Sequence, residues 1–135
     1  MGKEKAIIFP CFGGSSNVGV ITALATLEAV EEVGLDKAGI GCLAIIPIFA
    51  DSMKSQMDKA KKIISVDGCP VVCAKTLIER AGLKTTHNIV LTRDIGMVNR
   101  ALDVEVETKK DIRQHIEEEE VKRAKELIVK AILEE

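Results

Sequence analysis

Aromatic side chains are scarce in this sequence: tryptophan and tyrosine are absent, and phenylalanine occurs three times in 135 residues. The core must therefore be built from aliphatic side chains. The same scarcity and a formal net charge of −2 exclude the basic surface and stacking platforms on which nucleic-acid-binding domains depend. We expect no nucleic acid among the partners of this protein.

Long hydrophobic runs are also missing. Residues 6–27 carry no formal charge, but Pro10 and the polar loop at residues 13–17 interrupt them. Neither half approaches the roughly 20 apolar residues of a membrane crossing. The amino terminus also lacks the apolar stretch and small-residue cleavage site of a secretory signal. We therefore expect a cytoplasmic protein with no membrane partner. In that compartment the four cysteines are ligands or reactive thiols rather than a disulfide framework.

The hydrophobic pattern predicts strands that alternate with helices. Short apolar runs predict strands at residues 5–10, 40–44, 62–66 and 87–92. Helices are predicted at residues 18–33, from about 51 to 61, at 70–81, and from a capping box at 108–111 to about 133. Such alternation implies a parallel sheet covered on both faces. The expected architecture is a single α/β domain over residues 1–135, a small three-layer Rossmann-like fold with a mostly parallel four-stranded sheet.

The most informative stretch is residues 66–75, where an Asp67-Gly68 turn follows the third predicted strand. Pro70 suits the first position of a helix, where its missing N–H costs nothing, and Cys69 stands at the expected N-cap. Cys73 lies one turn further along, so both thiols are expected on one side of the helix mouth. Together they make half of a tetrahedral thiolate site. Asp67 is expected to shape the turn or to accept backbone hydrogen bonds.

The other two cysteines follow the first predicted strand and lie at or near the end of the second. Ligands of such folds gather beyond the carboxyl ends of the strands, so all four thiols are expected at one sheet edge. The helix N-termini there, with Lys75 or Arg93, could offset the negative charge of four thiolates around a divalent ion. The expected site is one metal ion held by Cys11, Cys42, Cys69 and Cys73.

A family resemblance rests on four motifs that occur in order: Pro10-Cys11, Ser16-Asn17-Val18-Gly19, Cys42-Leu43-Ala44, and Asp67-Gly68-Cys69-Pro70 followed by Cys73. In these motifs, and over residues 5 to about 96, the sequence resembles the DGC domain family of small prokaryotic proteins. The resemblance implies zinc as the cofactor and the same four cysteines as its chelators. It implies no established activity.

Other chemistries are open to thiols in these positions. A thiol-redox enzyme would use Cys69 and Cys73, because a helix N-terminus lowers the pKa of a thiol. An iron–sulfur cluster also accepts four thiolates. The loop from Cys11 has the spacing of thiol phosphatases, but Asn17 stands where they have arginine. The loop Gly13, Gly14, Ser15, Ser16, Asn17 is therefore expected to bind a small anion rather than to catalyse phosphate release. No catalytic residue can be assigned.

Residues 45–49 (Ile45, Ile46, Pro47, Ile48 and Phe49) form a run too apolar for an ordinary exposed loop, and Pro47 argues against a central strand. Relatives tend to have a glycine-rich segment here. We expect this run to be buried, either as a flap over the site or in contact with a second copy of the chain or another protein.

Overall fold

The structure is a computed structural model that describes residues 5–134, apart from the side chains of Ala50, Met53 and Gln56. It contains one four-stranded parallel sheet in the spatial order β2-β1-β3-β4. The strands are β1 (Ala6–Pro10), β2 (Ala38–Ile40), β3 (Lys62–Asp67) and β4 (His87–Val90). The central strands β1 and β3 are buried almost throughout, as their continuous apolar runs predict.

Helices cover both faces of the sheet. They are α1 (Asn17–Val33), α2 (Ala50–Met57), α3 (Cys73–Arg80), α4 (Leu91–Asp94) and α5 (Glu118–Leu133), with 3-10 turns at Leu43–Ile45 and Ile112–His115. Because side chains alternate along a strand, Ile8 and Ile64 pack with α1 and α5, whereas Ile7 and Ile63 pack with α2 and α3. The small α/β fold is confirmed. The predicted domain bounds also include residues 1–4 and 135, which lie outside the described residues.

In the part of the chain that the structure describes, no helix combines the length and the apolar character needed to cross a membrane.

The second strand ends at Ile40, so the predicted extension to residue 44 is wrong. In the hydrogen-bond ladder between β1 and β2, the N–H of Ala6 donates to Lys37 O at 3.0 Å and the N–H of Gly41 donates to Ile8 O at 2.8 Å. Along β1, the N–H groups that donate to β2 occur at every second residue, at 6, 8 and then 10. Residue 10 is proline and has no N–H, which ends the pairing. Cys42 therefore lies in the loop beyond β2.

The helix predicted at residues 70–81 begins at Cys73. Val72 has a left-handed backbone (φ 49°), and its N–H donates to Cys69 O at 3.1 Å. Pro70 thus occupies the second position of a β-turn, which suits its fixed φ as well as the first turn of a helix does. Cys69 is consequently in this turn and not at the helix N-cap, and the two thiols do not share a helix face.

Three other boundaries also differ from the pattern. The helix α2 ends at Met57, four residues earlier than expected. The strand β4 ends at Val90, whose N–H donates to the Asp94 carboxylate at 2.8 Å, and the chain continues as α4. The capping box is formed by Asp111 and Gln114 and opens the 3-10 turn, while α5 starts only at Glu118.

The end of α5 is attached to the sheet by a buried lysine. Lys62, 8% exposed, donates from Nζ to the carbonyl oxygens of Ala131 (2.8 Å), Ile132 (3.1 Å) and Glu134. The last carbonyls of a helix have no partners within the helix and carry partial negative charge. The ammonium of Lys62 thus satisfies groups that would otherwise be left without donors.

Replacing Lys62 by methionine is expected to lower the free energy of unfolding by about 2–3 kcal/mol. Methionine fills a similar volume, so the loss reports the charged hydrogen bonds, each of which contributes roughly 1.5–3 kcal/mol before the surroundings relax. Urea unfolding measures the change. Lys61→Met, at the neighbouring exposed position, is the matched control and should change stability by less than about 0.5 kcal/mol. Equal stability of the two variants would contradict the role assigned to Lys62.

Candidate functional site

Cys11 follows β1 at the carboxyl edge of the sheet. Its N–H donates to Val66 O at 2.9 Å, which extends the pairing of β1 with β3 by one residue. The Thr22 hydroxyl in α1 lies 3.8 Å from Cys11 Sγ and accepts the N–H of Phe12 at 3.0 Å. Thr22 therefore holds the start of the loop that carries the first thiol. The only sequence feature that points to this role is the position of Thr22 in the second turn of α1.

Asp67 is buried at the end of β3 and caps α3. Its carboxylate accepts the N–H groups of Ala74 (2.8 Å) and Lys75 (3.2 Å). The N-cap residue of α3, Val72, makes no side-chain hydrogen bond, so Asp67 takes over that role from six residues before the helix. The expectation that Asp67 accepts backbone hydrogen bonds is confirmed. The same bonds fix the position of Cys73 at the mouth of the helix.

Charges at this edge act on one another. The pKa of Asp67 is raised, because burial disfavours its charged form. The hydrogen bonds from the N–H groups of Ala74 and Lys75 and the charge of Lys75 lower the pKa, but by less. The pKa of the Cys73 thiol is also raised, first by partial removal from water and then by the charges of Cys11, Asp67 and Cys69. Three thiols and one carboxyl are therefore close enough to interact electrostatically.

Cys42 reaches the same edge from the other side of β1. It immediately precedes the 3-10 turn Leu43–Ile45, and that turn contacts α3, the helix that Cys73 opens. Cys42 and Cys73 are exposed, while Cys11 and Cys69 are half-buried, and all four are free thiols. Cys42 therefore lies at the carboxyl edge of the sheet, but the thiols that act on Cys73 are those of Cys11 and Cys69, without Cys42.

The donors are gathered but do not form a coordination shell. Within residues 5–134 as they are placed, no group of three or more histidine, cysteine, aspartate or glutamate side chains could hold a metal ion. The chemistry of the donors suits a soft divalent cation, because thiolates are preferred ligands of zinc. Binding would require the loops or side chains to draw together.

Two glycines allow the thiol-bearing loops to meet at the start of α1. A Cβ on Gly19 would lie 1.9 Å from Gly13 O, and a Cβ on Gly68 would lie 2.9 Å from the carbonyl carbon of Val18. The loop after β1 and the Asp-Gly-Cys turn therefore both rest on the first turn of this helix. Any side chain at either position would separate them.

Lys75 and Arg93 are the two cations expected to offset the thiolate charge, and Arg93 binds other groups instead. It is exposed, donates from Nε to Asp94 at 2.7 Å and from Nη2 to Asn88 O at 2.8 Å, and holds the pKa of Asp94 below its usual value. Lys75 is the cation whose charge acts at the thiol edge, through Asp67. The expectation that Arg93 offsets thiolate charge is therefore not supported by its contacts.

The loop proposed for anion binding is partly occupied by the chain itself. Ser16, not Asn17, is the N-cap of α1 and accepts the N–H of Gly19 at 3.2 Å. The backbone N–H of Asn17 donates to Arg100 O (3.0 Å), and its side-chain amide binds Val98 O (3.0 Å) and Arg100 N–H (2.6 Å). Residues 98–102 thus cross the mouth of α1. Anion binding at residues 13–17 stays a prediction.

The apolar run at residues 45–49 is only partly buried within the chain. Ile46 is 1% exposed and packs with Phe9 and Met57, whereas Ile48 and Phe49 are 68% and 59% exposed. The expectation of a flap buried against its own chain is thus met by Ile46 and is wrong for the tip. Coverage of the tip by a second copy or another protein stays a prediction.

Comparison with protein-family models gives a match to the DGC domain over residues 7–126. The matched residues include all four cysteines and continue past residue 96 through the segment that crosses α1 and into α5. Neither the curated proteins nor the solved structures contain a match to this chain.

Proposed function

The chain belongs to the DGC domain family, and from that membership and its thiol cluster we propose that it binds one zinc ion through Cys11, Cys42, Cys69 and Cys73. The observation that carries the proposal is that the loop after Cys11 and the Gly68-Cys69 turn both rest on the first turn of α1, while the Asp67 carboxylate fixes the start of the helix that Cys73 opens. Topology alone brings the residues after β1 and β3 to one edge of the sheet, and it is the identity of these residues as thiols, the donors that zinc prefers, that favours a metal. Zinc would supply positive charge and tie these loops together.

A dithiol redox function is the weaker alternative. That chemistry needs a thiol whose pKa lies below the ordinary range, and the expected reason was a position at a helix N-terminus. The Cys73 thiol does open a helix, but its surroundings raise its pKa. An iron–sulfur cluster uses the same donors as zinc, so the metal analysis has to separate the two.

The test is a metal analysis of untagged protein combined with a count of free thiols. We expect about one zinc per chain, with the four thiols protected from a thiol reagent in the loaded protein and reactive after the metal is removed. Detection of iron together with acid-labile sulfide would show that the cysteines hold an iron–sulfur cluster and not zinc. Absence of metal with four freely reacting thiols, even after incubation with zinc, would exclude both.

A further inference from the structure

We propose that the amino edge of the sheet, opposite the thiols, binds a linear polyphosphate chain. The inference is independent of zinc binding. It rests on four lysines that precede the four strands and are called here the lysine row, in spatial order Lys37, Lys5, Lys61 and Lys84. Three of these side chains are exposed, and that of Lys5 is half-buried. An anion in solution can therefore reach the row.

The register of the sheet places these lysines side by side. Residue 6 pairs with residues 38 and 62, so residue 5 lies between residues 37 and 61, and the N–H of Lys61 donates to Lys5 O at 2.8 Å. The chain before β4 still follows β3 at Thr86, whose N–H donates to Ile63 O at 2.7 Å. Counting back two residues brings Lys84 beside Lys61. Adjacent strands are about 4.8 Å apart, so the row spans about 14 Å.

The side chains of the row belong to one face of the sheet. Side chains alternate along a strand, so Lys61 shares the face of Ile63, and Lys5 shares the face of Ile7. Both isoleucines pack with α2 and α3. Lys62 has the opposite direction and donates to the end of α5. The lysine row is therefore separate from the contacts that Lys62 makes.

Positive charge in the row has no counter-charge bound to it. Lys61 and Lys84 line a cavity of about 320 Å³, and the Nζ of Lys54 approaches that cavity at Gly82. Asp58 is the one acidic residue among those that line it. Within the described residues, neither the row nor Lys54 forms an ion pair. Like charges on neighbouring strands are destabilising, and an anion that bridges them would remove the repulsion.

The geometry favours a continuous line of negative charge. A lysine ammonium binds phosphate as a point charge, without the planar fit that arginine requires. A polyphosphate is charged on every unit and can follow the row at any spacing, whereas an extended acidic peptide presents side chains on one face only about every 6.7 Å. A single-stranded nucleic acid would use aromatic side chains for stacking, and none of the three phenylalanines lies in the row or lines the cavity. The net charge of −2 conceals this local basic surface.

Binding is measured by the fluorescence anisotropy of an end-labelled polyphosphate that is titrated with the protein at low salt, without added divalent cations. We expect unlabelled polyphosphate to displace the probe at least tenfold better than orthophosphate at the same phosphorus concentration. Four lysine contacts with a phosphate chain should give a plot of log K against log salt concentration with a slope of about −3. Absence of an anisotropy change at low salt would overturn the inference.

Variants of the row locate the binding. Lys5→Gln and Lys61→Gln remove charges from the middle of the row, so each should weaken binding at least threefold and reduce the salt slope by about 1. Lys122→Gln removes the same charge from an exposed position of α5 and is the matched control, which should keep the affinity of the wild type. Equal weakening in all three variants would show that the attraction is not located at the row, and would also overturn the inference.

Competition separates polyphosphate from other linear anions. Poly-L-glutamate represents an acidic protein segment, and polyuridylate represents a single-stranded nucleic acid. We expect both to displace the probe less well than polyphosphate at equal charge concentration. Stronger displacement by either one would assign the row to that class of partner and refute the polyphosphate site. These results are independent of the metal analysis, so zinc binding and polyphosphate binding can fail separately.

Discussion

Replacing Gly19 by alanine is expected to destabilise the protein by about 1–3 kcal/mol, although this substitution within a helix usually stabilises by up to about 1 kcal/mol. Gly19 is the third residue of α1, and a Cβ there would lie 1.9 Å from Gly13 O. That oxygen belongs to the backbone, so the whole loop must move to relieve the overlap. Steric overlap should therefore outweigh helix propensity, and the sign of the change tests the structure directly.

Urea unfolding gives the stability of Gly19→Ala, and the reactivity of Cys11 toward a thiol reagent should rise because its loop is displaced. Gly14→Ala is the matched control, since a Cβ on Gly14 in the same loop has no atom within 4 Å. It should change stability by no more than about 0.5 kcal/mol. If Gly19→Ala is as stable as the wild type, the loop does not rest on α1 in the way described.

The elements predicted most accurately are β1 and α1. Both are apolar, and their ends are marked by local chemistry: Pro10 ends the strand, Ser16 caps the helix, and Gly34 follows it with φ 97°. Residues adjacent in sequence carry all of this information. The ends of β1 and α1 can therefore be predicted without knowledge of the fold.

The start of α3 was misplaced because its cap is not adjacent in sequence. The sequence pattern places the helix start at Pro70, because proline suits the first helical position, and this puts Cys69 at the N-cap. In the structure the capping carboxylate comes from Asp67 at the end of β3, across a turn that ends in the left-handed Val72. A β-branched residue with positive φ is unfavourable locally, so only the surrounding contacts can impose it.

Convergence of the thiols could be predicted because it follows from topology. The carboxyl ends of parallel strands share an edge, and residues after β1 and β3 must lie near one another there. The contacts that support the site depend on distant residues instead. Asn17 binds the backbone at Val98 and Arg100, and Lys62 binds carbonyls at the end of α5. No local pattern marks such pairs.

Single replacement of each cysteine by serine is expected to remove most of the bound zinc in all four variants. Cys11 and Cys42 are far from the Asp-Gly-Cys motif in sequence, so their effect separates a shared site from a local dithiol. A dithiol enzyme would depend on Cys69 and Cys73, and the other two would behave as small side chains at the sheet edge. Elemental analysis of the variants, purified alongside the wild type, measures the difference.

His87→Ala provides the control for loss of a potential metal ligand. His87 begins β4, at the opposite edge of the sheet from the thiols, and its Nε2 lies 3.1 Å from Glu134 Oε1. The contact is exposed, so its loss should cost little stability. The variant should keep the zinc content of the wild type. A loss of zinc as large as in the cysteine variants would mean that the ion does not reside at the thiol edge.

Thermal melts with and without a strong chelator complete the comparison. Zinc at about 100 times its dissociation constant stabilises the folded state by about 2.7 kcal/mol, which for a chain of this size raises the melting temperature by about 10 °C. This shift depends on the affinity of the site and on the concentration of free zinc. Chelation should abolish the shift in the wild type, and the four serine variants should melt near the metal-free wild type in either condition. A wild-type melt that chelation leaves unmoved, with altered thiol reactivity confined to Cys69→Ser and Cys73→Ser, would refute zinc binding and favour the redox pair.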